Sequence, residues 1–189
     1  MEQLFDFIAA YWLYLFFVSF VTTGALMRWL DKDYEPPIRF ECKKMPLVRP
    51  VPMQTKGIPY HKALWVWFAT SRSWRLEDNW YFSINEQSYV IPSNFQFDGI
   101  NFPPPINTWF LPTGIMLVAS VIHDYAYKHH YLMKANGIHG DTLTRKECDV
   151  LFRHINTCVN GMRMLNYAGY LLIRVWGLLS WKSEAKRTQ

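Results

Sequence analysis

Residues 121–130 read VIHDYAYKHH, so a histidine, an aspartate and a tyrosine stand within a mostly apolar segment. The surrounding residues 113–133 are apolar along one side at helical spacing, which predicts a helix. His123 and Tyr127 are four residues apart and share a face of that helix, whereas Asp124 lies about 100° round from His123. Ionisable groups in a packed helix are costly unless partners compensate them. The stretch is therefore either a solvated helix face or a built site.

Two further helices are predicted after a glycine-containing loop at residues 134–141. Thr144 and Glu147 have the spacing of a capping box, which predicts a helix start there. An apolar run from about 162 to 181, interrupted by Arg174, predicts the third helix. An interrupting arginine favours a packed or interface-lying helix over a second membrane span.

Antiparallel packing of the first two of these helices would bring Asp149 opposite His123. A carboxylate on one imidazole nitrogen fixes the tautomer and leaves the other nitrogen to take a proton from water. Tyr127 is placed to hold that carboxylate through its hydroxyl. Arg145 and Arg153 flank Asp149 at four residues on either side, which makes them supporting or phosphate-binding candidates. The same residues also fit a purely structural hydrogen-bond network.

The region before the helices has the composition of strands. Residues 63–92 contain short segments rich in aromatic and β-branched residues, separated by polar turns, which predicts a small antiparallel β-meander. Residues 31–62 contain six prolines and predict an extended linker. The predicted fold class is α+β and helix-dominated: one domain over 63–182, with strands at about 63–92, an antiparallel three-helix unit at about 113–181, and a basic tail at 183–189.

The N-terminal segment is long and uncharged. Residues 7–27 contain no Asp, Glu, Lys or Arg, and about 20 such residues span a bilayer core as a helix. We therefore expect a single-pass transmembrane anchor at 1–30, with a buried core helix as the alternative. Basic residues follow the segment and acidic ones precede it, which predicts a cytoplasmic main domain and the lipid bilayer as a partner. A net charge of +5 without a base-stacking motif or dense basic helix does not favour nucleic acid.

The C-terminal half resembles an uncharacterised family of bacteriophage and prophage proteins, a domain of unknown function. The residues that carry this resemblance are Phe95 with Asp98, Pro103, the HDYAY segment at 123–127, Arg145 with Asp149, and Arg174 with Gly177. The resemblance implies a protein of the host inner membrane or the virion that acts with other phage proteins.

A narrower resemblance is to the secreted phospholipases A2. HDYAY is similar to the HDxCY core of those enzymes, and Cys148-Asp149 is similar to the CD pair of their next helix. It implies His123 as the base that activates water, Asp149 as the orienting carboxylate and Tyr127 as its brace. Calcium would be the cofactor, with Asp124 and Asp98 as ligands. The chain departs from that family because Ala119-Ser120 replaces a cysteine pair and no glycine-rich calcium loop precedes the helix.

Two functions remain open on this sequence. One is a membrane-anchored hydrolase of phospholipid esters. The other is a non-enzymatic phage protein in assembly, genome entry, lysis or exclusion, in which the network is structural. For either function, Arg174 is expected to pair with Asp98 or Asp149 or to bind a lipid phosphate. A metal phosphohydrolase using His139 and Asp141 is a third reading, but its helical ligand spacing is missing.

Overall fold

The chain folds into helices and two small sheets. The computed structural model describes residues 2–30, 34–53, 55–69, 73–98 and 116–185. Within these ranges the helices are α1 (Glu2–Leu30), α2 (Tyr60–Ala69), α3 (Leu117–His129), α4 (Arg145–Asn160) and α5 (Arg163–Ala185). The strands are β1 (Phe40–Glu41), β2 (Val48–Pro50), β3 (Trp74–Leu76), β4 (Trp80–Ile84), β5 (Gln87–Ile91) and β6 (Gln96–Phe97). The predicted α+β class is confirmed.

The strands form two antiparallel three-stranded sheets, where the sequence predicted one meander. One sheet has the order β1-β4-β5 and the other the order β2-β3-β6. The edge strands β1 and β2 come from the proline-rich segment, which therefore does more than link. Pro50 ends β2 at a sheet edge, where the missing N–H of a proline is tolerated. Sequence periodicity does not predict the pairing of β1 and β2 with the other strands, because the partners lie far apart along the chain.

The first predicted strand is a helix. Residues 63–69 belong to α2, which follows Pro59, and the Pro59 carbonyl accepts a hydrogen bond from the Ala63 N–H at 2.9 Å. The fixed φ of proline suits a helix start. A short apolar run is compatible with either a strand or a helix, and its aromatic residues misled the prediction.

The core lies between the sheets and the last three helices. β4 alternates in burial and turns Trp80, Phe82 and Ile84 inward. These strand residues belong to one cluster with buried side chains of α3 and α4, such as Ile122 and Phe152. Helix α4 packs against both α3 and α5, and the face that carries Asp149 lies between these two helices.

The predicted membrane anchor is wrong. Across the described ranges, no helix combines the length and the apolarity that crossing a bilayer requires. The uncharged segment at 7–27 lies within α1, but a lack of charge is weaker evidence for a span than length and apolarity together. The single-pass topology, with the main domain on the cytoplasmic side of a membrane, was predicted from this anchor and is corrected with it.

Some predicted features lie outside the described residues. They are Pro103, which carries part of the family resemblance, the start of the first predicted helix at 113–115, and the end of the basic tail at 186–189.

Candidate active site

Helices α3 and α4 supply the central residues of the site. The α4 start is fixed by its capping box, since the Thr144 hydroxyl accepts from the Glu147 N–H at 3.3 Å and the Glu147 carboxylate accepts from the Thr144 N–H at 2.7 Å. One turn further along, Asp149 points into the space between α3 and α5. His123 and Tyr127, one turn apart on α3, face it from the other side.

Asp149 is the centre of the network. Its side chain is 0% exposed. Oδ1 is 3.0 Å from His123 Nε2 and also accepts a hydrogen bond from the Tyr127 hydroxyl. Oδ2 accepts a hydrogen bond from Arg174 Nη1 at 2.9 Å. Both oxygens of a fully buried carboxylate are therefore satisfied by side chains, and two of these donors can carry positive charge.

The environment keeps Asp149 ionised. Burial raises the pKa of the Asp149 carboxyl, but the hydrogen bonds from His123, Tyr127 and Arg174 outweigh burial and lower that pKa below its ordinary value. An ionised carboxylate only accepts hydrogen bonds, so His123 Nε2 carries a proton and donates it. Burial and the Asp149 carboxylate raise the pKa of the Tyr127 hydroxyl, which consequently stays protonated and donates as well.

His123 lies between two carboxylates. Its second nitrogen, Nδ1, is 3.5 Å from Asp124 Oδ1, and its side chain is 11% exposed against 16% for Asp124. The ring packs against the rings of Tyr127 and Phe152, at centroid distances of 4.1 and 5.5 Å. Burial lowers the pKa of His123, but the hydrogen bonds and charges of Asp124 and Asp149 outweigh burial, and the pKa lies above its ordinary value.

The three arginines have different places. Arg174 contacts Asp149 directly, and its backbone carbonyl accepts a hydrogen bond from Arg145 Nη1 at 3.0 Å. Arg145 thus supports the network through α5. Arg153 is turned away from Asp149: its Nη2 is 2.8 Å from His154 Nε2, and its guanidinium lies over the ring of Tyr170.

Sequence reasoning missed the role of Gly177. A Cβ at this position would lie 2.8 Å from the Tyr127 hydroxyl, so only glycine lets α5 approach Tyr127 this closely. Trp181, one turn later, packs edge-on against the Tyr127 ring at 4.9 Å. Arg174, Gly177 and Trp181 are spaced three and four residues apart, and this helical spacing was the available signal.

The described residues do not fit a calcium site. Asp98 and Asp124 are near enough for the charge of Asp98 to raise the pKa of Asp124, although burial is the larger cause of that rise. Asp98 Oδ1, however, accepts a hydrogen bond from Ser73 Oγ at 2.6 Å. Calcium takes six to eight oxygen ligands, and among the residues that the structure describes no three His, Cys, Asp or Glu side chains gather as metal ligands.

Fold and site together define an α+β domain whose last three helices enclose a buried His–Asp–Tyr–Arg network. The sequence model of a family described as protein of unknown function, DUF1353, matches residues 74–171, just over half of the chain. The chain belongs to this family, which confirms the predicted domain of unknown function. No curated protein and no solved structure matches the chain. Phage origin and the likeness to phospholipases A2 stay predictions.

Proposed function

We propose that this protein is a hydrolase of carboxylic esters, with phospholipid acyl esters as its substrate class, and that His123 and Asp149 act as its general-base dyad. The observation that carries the proposal is the pairing at His123. A fully buried, ionised Asp149 binds Nε2, whereas Nδ1 lies beside the partly exposed Asp124. Tyr127 braces Asp149 in the arrangement that the likeness to phospholipases A2 implies.

The reaction follows from the tautomer. With the proton on Nε2, the lone pair of His123 Nδ1 accepts a proton from water as the water oxygen attacks the ester carbonyl. The resulting imidazolium is stabilised by Asp149 on one side and Asp124 on the other. When the tetrahedral intermediate collapses, the Nδ1 proton passes to the departing alkoxide, and the products are a carboxylic acid and an alcohol. Arg174 keeps Asp149 ionised through the cycle.

The raised pKa of His123 favours a second candidate. An imidazolium held between two carboxylates already has its proton and is not a base until the pH exceeds its pKa. In that state the ion pairs of the network hold α3, α4 and α5 together, as the non-enzymatic, phage-type alternative requires. The two candidates differ in what the loss of His123 does.

Fatty-acid release from phospholipid–detergent mixed micelles separates them. Wild type is compared with His123→Asn and with His61→Asn, a control at an exposed histidine on α2. Each is assayed from neutral to alkaline pH, with calcium or with a chelator, and its thermal unfolding is recorded. The hydrolase predicts release by wild type and His61→Asn, and loss of release in a folded His123→Asn.

The structural candidate predicts no release and a loss of stability in His123→Asn. Folded wild type then releases no fatty acid at any pH, with or without calcium, and His123→Asn has a clearly lower melting temperature than His61→Asn. Release that persists unchanged in His123→Asn would exclude the proposed dyad.

A further inference from the structure

A cavity lies between the end of α4 and the start of α5. Its volume is about 300 Å³, near the lower end of the range for small-molecule sites. Its lining consists of Tyr34, Arg153, Thr157, Arg163, Met164 and Tyr167. None of these residues belongs to the His123–Asp149 network, so the cavity is a separate feature of the molecule.

Arg153 is fixed on one wall of this cavity. Its guanidinium carbon lies 5.7 Å from the ring centroid of Tyr167 and 5.2 Å from that of Tyr170. Its Nη2 donates to His154 Nε2 at 2.8 Å. Burial and the neighbouring Arg153 charge lower the pKa of His154, which leaves that ring neutral and able to accept. The guanidinium is thus held by rings and by a neutral acceptor, and its charge is not compensated there.

Arg163 approaches the cavity from the other helix. It is the first residue of α5, and its guanidinium carbon lies 4.2 Å from the Tyr34 ring centroid. The first N–H groups of a helix have no partner within the helix and attract negative charge. Within the described part of the chain, neither Arg153 nor Arg163 forms an ion pair with a carboxylate.

We propose that this cavity binds a small organic phosphate monoester, with Arg153 and Arg163 as the ligands of the phosphate group. Two guanidinium groups from two helices match the charge of a phosphate dianion, and their planar donor forks match its oxygens. The Tyr34 and Tyr167 rings that flank them provide an apolar wall for the organic part. The site neither uses nor requires the proposed hydrolase activity.

Calorimetric titration of the full chain at low salt tests this site, with glycerol 3-phosphate as the organic ester and inorganic phosphate as the comparison. We expect saturable binding of one glycerol 3-phosphate per chain, tighter than that of inorganic phosphate. Arg153→Gln and Arg163→Gln should each weaken it by at least about tenfold, because each removes a charge-assisted contact. Arg49→Gln, at an exposed arginine on β2, should bind as wild type does.

Two results would exclude a phosphate site at this cavity: no saturable binding by the folded wild type, or wild-type affinity in both cavity variants. Equal affinity for inorganic phosphate and glycerol 3-phosphate would overturn the proposal as well, because it would show that the organic part of the ligand is not recognised. Thermal unfolding verifies that each variant is folded. Arg163 is exposed at the start of α5, so Arg163→Gln keeps the test decisive even where Arg153→Gln fails to fold.

Discussion

The Asp149 carboxylate is the acceptor for the hydrogen bonds that join His123, Tyr127 and Arg174 to the network. It is fully buried, and replacing it by a neutral amide leaves Arg174 and a protonated His123 without their counter-charge. We expect Asp149→Asn to lower the free energy of unfolding by about 3 kcal/mol. Urea denaturation measures this change. Glu41→Gln is the control, since the Arg39–Glu41 pair is exposed and should contribute less than about 1 kcal/mol.

Gly177 sets how closely α5 approaches Tyr127. Because a Cβ would lie 2.8 Å from the Tyr127 hydroxyl, Gly177→Ala should lower the free energy of unfolding by about 1 to 3 kcal/mol. Gly169→Ala, in the same helix, meets side-chain atoms of Met116 at 3.4 Å or beyond and should be neutral or slightly stabilising. A double-mutant cycle with Tyr127→Phe measures the coupling between Gly177 and the hydroxyl. Strict additivity in that cycle would contradict the close contact.

At the residue scale, the positions of residues along the helices predicted more of the Asp149 network than the residue types alone would. The i, i+4 spacing of His123 and Tyr127 and the predicted packing of the next helix against them were enough to expect their contacts with Asp149. Gly177 was not assigned a role, since a close approach between two helices depends on packing that no single helix reveals. Asp98 was predicted as a calcium ligand from the sequence. Its hydrogen bond with Ser73 joins residues far apart along the chain, so the sequence could not predict it.

Helix α4 begins where its capping box places it. The Thr144 side chain accepts from the Glu147 N–H and so fixes the first turn before Asp149. Thr144→Ala should therefore lower the free energy of unfolding by about 1 kcal/mol, as measured by chemical denaturation. Thr142→Ala, at an exposed threonine two residues earlier, serves as the control and should change it by less than about 0.5 kcal/mol. Equal effects of the two substitutions would mean that the cap does not matter.

Elements with local start and stop signals were predictable, and those that depend on distant partners were not. The α4 cap and the apolar periodicity of α3 and α5 lie within each helix. The pairing of β2 with β3, by contrast, joins residues that are more than twenty positions apart, and nothing local specifies it. The run at 63–69 was assigned to a strand on composition, although Pro59, four residues before it, is a helix-start signal.

For the whole molecule, the network links stability to pH in two windows. The pKa of His123 is raised in the folded state, so its contribution is fully present below its unfolded pKa of about 6.5 and is lost as pH rises through the folded value. The pKa of Asp149 is lowered, so its contribution is present above about 3.8 and is lost as pH falls through the folded value. Asp124, whose pKa is raised, opposes Asp149 in the acid window.

The alkaline window also separates the two candidate functions, because stability and catalysis depend on opposite protonation states of His123. Urea unfolding at a series of pH values should show the stability difference between wild type and His123→Asn shrinking as pH rises above about 6.5. If His123 is the catalytic base, ester hydrolysis by wild type should rise through that same range, since deprotonation frees Nδ1. A stability difference that does not change with pH would contradict the placement of His123 between two carboxylates. Hydrolysis that falls with increasing pH would contradict its role as the base while leaving that placement intact.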